Sequence, residues 1–141
     1  LPELAGELQP WAGRLILTPN VTEGGILLGR DLEDLHRDVP GIAEKYQAVV
    51  SCQGVIADPG GSVWEITTGH SGLGTSGSGD VLAGAIAGLR ARGTADAQAA
   101  CWGSHLHAAA GDRLASRLGG LGYLARELCD ELPALMVELS S

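Results

Sequence analysis

A chain of 141 residues, 45% hydrophobic and 18% charged, can close one packed core and is too apolar for a disordered segment. Its net charge of −8, with nine basic residues of which only Lys45 is a lysine, excludes a nucleic-acid backbone held over a broad surface, which needs clustered positive charge. Cys52, Cys101 and Cys129, an odd set without CxxC spacing, exclude a disulfide framework.

Residues 1–12 read as helix, with Leu4 and Leu8 on one face and Pro10 ending the run. Arg14–Thr18 is a short apolar run suited to a buried strand. Pro19 and Asn20 break it, and a helix is expected over Thr22–Gly29. The charged stretch Asp31–Asp38 is expected to be exposed, and Pro40–Tyr46 is a short helix with proline in its first turn. Ala48–Ser51 and Gly54–Asp58 read as strands, followed by a Pro59-Gly60-Gly61 turn and a further strand over Ser62–Thr67. Beyond Asp80 the pattern is helical over Val81–Arg92, Thr94–Leu118 and Leu121 to about Leu139, the last interrupted at Pro133. Strands followed by a run of helices imply an α/β layered fold. The cysteines are expected to be reduced and largely buried, and the tryptophans to pack. No window approaches the apolar length of a membrane span, and the first residues lack the pattern of a signal peptide.

The main chemical signal lies between Gly69 and Asp80, where GHSGLGTSGSGD carries five glycines and leads into a helix. Glycines let backbone N–H groups turn toward an anion, and a helix N-terminus adds partial positive charge. A polyphosphate is therefore within reach of an acidic chain. Asp80 is the exception in such a site, because it repels phosphate, yet it can take a proton from a hydroxyl. The loop by itself is equally a hinge with Asp80 capping a core helix. Gly84 and Gly88 weaken helix 81–92 by about 1 kcal/mol each relative to alanine, a cost expected where the helix packs closely beneath a sheet.

Gly77-Ser78-Gly79-Asp80-Val81-Leu82-Ala83-Gly84 resembles the signature of the ADP- or ATP-dependent NAD(P)H-hydrate dehydratases, a family of the ribokinase-like superfamily. The resemblance implies an anion hole at Gly77, Ser78 and Gly79, with Asp80 as the base in phosphoryl transfer. Leu17-Thr18-Pro19-Asn20-Val21-Thr22-Glu23 resembles the superfamily's NxxE element, with Asn20 where the family often has histidine. Asn20 and Glu23, three apart, share one side of a helical turn and suit either water around Mg²⁺ or a helix cap. Leu106-His107-Ala108-Ala109-Ala110-Gly111-Asp112 resembles the family's LHGxAGD helix. His105 and His107 stand about 200° apart around that helix and cannot share a metal. They are expected to be structural or to wall the nucleotide site. Leu121–Arg126 followed by Leu132-Pro133 resembles the family's closing segment. The family's VxKGxxT element has no lysine here: Ala48-Val49-Val50-Ser51-Cys52-Gln53-Gly54-Val55-Ile56-Ala57-Asp58 keeps its flanks in shortened form.

The resemblance implies a ribokinase-like layered fold over residues 1–141, read as the C-terminal part of a longer domain: closing sheet strands plus a helical layer. It implies dehydration of hydrated NADH or NADPH, through phosphorylation of the hydroxyl by ADP or ATP and elimination of phosphate. Mg²⁺ and nucleotide are the expected cofactors, Glu23 meeting the metal through water. The expected setting is cytoplasmic, without nucleic acid or membrane, and homo-oligomeric. Two other functions fit the residues: a ribokinase-like kinase for a carbohydrate or vitamin-precursor hydroxyl, and a non-catalytic nucleotide-binding remnant, which the missing lysine motivates.

Overall fold

A computed structural model of the chain describes residues 3, 5–68, 77–118 and 125–140. A short helix α1 (Ala5–Leu8) and a 3-10 turn (Gln9–Trp11) lead into strand β1 (Leu15–Leu17). Helices α2 (Val21–Leu28) and α3 (Leu35–Tyr46) cross over to β2 (Ala48–Cys52), which lies parallel to β1. β3 (Val55–Ala57) and β4 (Val63–Glu65) then extend the sheet antiparallel, in the order β1-β2-β3-β4. Helices α4 (Ser78–Ala91), α5 (Asp96–Leu118) and α6 (Ala125–Ser140) complete the described chain.

The period of two in the central strands decides the layering. Ala48, Val50 and Cys52 of β2, with Val55 and Ala57 of β3, face α2 and α3 in a cluster with Leu27, Val39 and Ile42. Val49 and Ile56 point the other way, onto Ala97, Ala100 and Cys101 of α5. Both faces of the sheet are covered, so β2 and β3 are apolar almost throughout. Ile42, Val39, Val50 and Ile56 are among the fully buried side chains, each contributing roughly 1.5–3 kcal/mol of burial. On the far side of α5 a separate cluster, Leu106, Ala110, Leu114, Leu128 and Leu135, joins α5 to α6. Arg117 pairs with buried Glu131, and Arg113 with Glu138 at 2.6 Å, along the same seam.

Several local expectations change. The stretch 31–38 is not uniformly exposed: Asp34 caps α3 through His36 N, so the helix starts at Leu35 and carries Pro40 inside it. Asp38 is buried because its carboxylate accepts from Arg30, Arg37 and the amides of Glu33 and Asp34. These donors hold the acid far below the usual carboxylate range, Arg30 contributing most. Pro133 lies within α6 without ending it. Leu4 and the segments 69–76 and 119–124 lie outside the described residues. Only Cys52 is buried, Cys129 being exposed, and all three thiols are free. Trp11, Trp64 and Trp102 are each more than a third exposed. Trp102 meets His105 edge-on, and Trp11 carries the Arg14 guanidinium.

Candidate active site

Two segments carry candidate chemistry: the turn after β1, and the first turn of α4, which α5 holds through His107 one turn beyond its contact with Ser51 of β2. In open α/β sheets the carboxyl ends of parallel strands are where ligands bind. From the end of β1, Thr18 and buried Pro19 turn the chain into α2. Asn20 is the N-cap: its Oδ1 accepts from Glu23 N at 2.8 Å, and Glu23 Oε2 accepts from Asn20 N at 2.9 Å. This reciprocal pair is a capping box, so the cap is the role the hydrogen bonds show. The pair stays solvent-exposed. Burial pushes the Cys52 thiol up to about 11, and the negative charge of Glu23 adds to the shift. Val21 at the start of α2 packs against the same core cluster that holds Cys52 at the end of β2.

The second segment is the first turn of α4. Gly77 is its N-cap at φ +87°, a left-handed backbone that side chains rarely adopt. The Gly77 carbonyl accepts from Asp80 N at 3.1 Å and Val81 N at 3.3 Å. The helix therefore opens at Ser78, and Asp80 stands inside its first turn rather than at the cap. Asp80 and Gly79 are exposed, Ser78 is buried. The helix dipole makes this end positive. The arrangement offers backbone donors and one exposed carboxylate to the same solvent region.

Helix α5 holds α4 in place. The two run antiparallel: His107 meets Ser78, Gly103 meets Ile86, and Asp96 pairs with Arg90 at 2.5 Å. His107 Nε2 donates to the Ser78 carbonyl at 2.8 Å from a buried position. Burial lowers its pKa, opposed by that hydrogen bond. His105 Nδ1 lies 3.4 Å from Thr68 Oγ1, so the two histidines have different partners. A Cβ at Gly103 would come within 2.5 Å of Ile86 Cγ1, so glycine permits the close approach of the helices. At Gly84 and Gly88 such an atom would meet nothing within 4 Å. The tight packing expected at Gly84 and Gly88 of α4 is found instead at Gly103 of α5. Further along the same face of α5, Ser104 shares a 3.0 Å hydrogen bond with Ser51 of β2.

His107, expected to be structural, holds the start of α4, whereas Gly103 and Ser104 belong to no motif. Their spacing with Ala100, at three, four and seven residues, was the available signal. The shortened VxKGxxT position is a two-residue turn, Gln53 at φ 46° and Gly54 at φ 83°, with no lysine to offer phosphate.

No group of three His, Cys, Asp or Glu side chains suited to a metal exists among the described residues. One oxygen of Glu23 is occupied by the capping box. This donor set suits a magnesium ion carried by its nucleotide, with water reaching Glu23, and not a dedicated protein cage.

The family model for NAD(P)H-hydrate dehydratase matches residues 4–134. The chain belongs to this family. An ADP-dependent (S)-NAD(P)H-hydrate dehydratase of Xanthomonas campestris is 42% identical over 144 residues, covering 96% of this chain and 50% of that protein. A bifunctional NAD(P)H-hydrate repair enzyme of Moorella thermoacetica is 42% identical over 90% of this chain and 25% of its own length. This dehydratase-family chain thus spans half or less of these curated relatives. Among solved structures, the ADP/ATP-dependent NAD(P)H-hydrate dehydratase of Bacillus subtilis, co-crystallised with ATP/Mg²⁺, superposes with a TM-score of 0.77 at 29% identity. The match covers 87% of this chain and 47% of that one, and the fold is ribokinase-like.

Proposed function

We propose that this chain is the phosphoryl-handling part of an ADP- or ATP-dependent NAD(P)H-hydrate dehydratase, a repair lyase for nicotinamide cofactor. One observation carries the reading: the GSGD run opens helix α4 at left-handed Gly77, with Asp80 exposed in its first turn. Asp80 takes the proton of the hydrate's hydroxyl as that oxygen bonds to the terminal phosphorus of the nucleotide. The bond from phosphorus to the leaving nucleotide breaks, giving AMP from ADP or ADP from ATP. Loss of phosphate from the ring carbon, with a proton from its neighbour, restores the double bond of NADH or NADPH. The amides of Gly77, Ser78 and Gly79 and the α4 dipole stabilise charge on the migrating group. Mg²⁺ brought with the nucleotide neutralises phosphate charge, and Asn20 and Glu23 face the substrate and the metal's waters.

The span of half or less of its relatives supports reading residues 1–141 as the C-terminal part of a longer domain whose opening half completes the substrate site. Free thiols support a reducing, cytoplasmic setting. Among the described residues no helix is long and apolar enough to cross a membrane.

The test is Asp80→Asn in the full-length protein that contains this chain. Turnover is expected to fall by about 10²–10⁴-fold with the circular-dichroism spectrum unchanged. A near-wild-type rate removes Asp80 from the chemistry. Release of inorganic phosphate with regained nicotinamide absorbance supports the dehydratase, whereas a stable phosphorylated product identifies a kinase. The tight Gln53–Gly54 turn, without its lysine, favours a second reading as a nucleotide-binding remnant. Nucleotide binding without turnover in the full-length protein would select it.

A further inference from the structure

We propose that His107 is a positioning residue, which with Ser104 one turn earlier fixes the first turn of α4 over the end of β2. The consequence for turnover rests on the function proposed above, while the clamp itself rests on geometry alone. Ser51, Ser78, Ser104 and His107 are all buried, and two hydrogen bonds join them: Ser51 Oγ with Ser104 Oγ at 3.0 Å, and His107 Nε2 with the backbone carbonyl of Ser78 at 2.8 Å. Burying a polar group without a partner is costly, so each pair specifies one register of the elements it joins. Ser104 and His107 are separated by about 4.5 Å along α5 and share a face. One rigid helix thus carries both contacts, the first to the strand and the second to the glycine-bounded turn.

The bond reaches the carbonyl of Ser78, a residue whose neighbours Gly79 and Asp80 are exposed. A carbonyl only accepts, so Nε2 carries the imidazole proton and the ring acts as a fixed donor. Gly103 sets the spacing between the same two helices by admitting Ile86 where a methyl group would collide. Arg90 and Asp96 close the far end. The direction of the first-turn amides, and with it the place of the Asp80 carboxylate, follows from these contacts. An error of about 1 Å in such placement is enough to cost on the order of 10²-fold in rate.

The experiment compares His107→Leu, His107→Gln and the pair Ser51→Ala/Ser104→Ala in the full-length protein. A glutamine amide places an N–H near the position of Nε2. Hydrogen exchange of the amides of residues 79–82 is read without nucleotide or substrate, alongside kcat and the KM for nucleotide. His107→Leu is expected to speed that exchange by about tenfold or more and to lower kcat at least tenfold, with KM changed less than threefold. His107→Gln is expected to restore both to within about threefold of wild type. Folded His107→Leu with unchanged exchange overturns the proposal, as does a folded glutamine variant no better than leucine. If the leucine variant does not fold, the serine pair decides: faster exchange at 79–82 and a severalfold lower kcat support the clamp, and no change in either overturns it. Because exchange is measured on the free protein, it reports on the clamp even where Asp80→Asn leaves turnover intact and the proposed function fails.

Discussion

The two faces of the central sheet are built by different means. Between the sheet and α2–α3, branched side chains fill a continuous core: Val39, Ile42 and Val50 are wholly buried, and Asp38 locks the connection with two guanidiniums. Beyond α5, Val81 and Leu89 of α4 join a smaller leucine cluster with α5 and α6, and close contacts of small and polar residues add to it: Gly103 against Ile86, His107 on Ser78, Ser104 on Ser51. Between α4, α5 and α6 a cavity of about 190 Å³, lined by Gly84, Gly88, Leu89, Leu106, Leu132 and Met136, is left open. Both regions bury apolar side chains, and the second adds the polar contacts that fix the first turn of α4. The candidate chemistry sits at the seam, with Glu23 capping a helix of the first region and Asp80 opening a helix of the second.

Substitutions that treat the regions differently break or sharpen this contrast. The largest effect on stability is expected from Ile42→Ala, at about 2–5 kcal/mol in denaturant unfolding, because the site is fully buried. A cost below about 1 kcal/mol would show the α2–α3 core to be loosely packed. Next comes Gly103→Ala, expected to cost about 1–3 kcal/mol by overpacking against Ile86 and to lower turnover more than its stability loss explains. Unchanged unfolding and turnover would show that α4 shifts freely.

Acid acts on the first region. The folded-state pKa of Asp38 is depressed, so its stabilising contribution is complete above the unfolded value near 4 and is lost as pH falls below it. Melting curves between pH 6 and about 3 are expected to fall less steeply in Asp38→Asn, which starts from lower stability. Parallel curves would assign the acid sensitivity elsewhere. The smallest effect is a gain. Gly84→Ala is expected to stabilise by about 0.5–1 kcal/mol, since the added methyl group meets nothing and helix propensity improves. Destabilisation in the full-length protein would show this face of α4 to be covered there.

The same contrast explains what the sequence revealed. Arg14–Thr18 and Ala48–Ser51 announced strands through their apolar runs, and the structure keeps both within a residue or two, β2 buried on both faces and β1, expected to be buried, only half-buried. The GSGD run was legible because glycine before a helix has a specific backbone role, seen at Gly77. Asp38 was misread as exposed because a charged side chain looks alike in sequence whether solvated or paired, and its partner Arg30 stands eight residues away. The clamp on α4 was unreadable for a related reason. Ser51 and Ser104 are 53 positions apart, Ser78 and His107 29, and a serine or glycine carries no sign of what approaches it.

The most direct measurement is an ADP titration of the isotopically labelled full-length protein, following backbone amide resonances. The largest shifts are expected at Gly77–Val81, with smaller ones near Asn20 and Glu23. Saturable ADP binding that leaves Gly77–Val81 unmoved, while shifting residues such as Leu106, Leu132 and Met136 around the apolar cavity, would contradict a phosphate cradle at the start of α4.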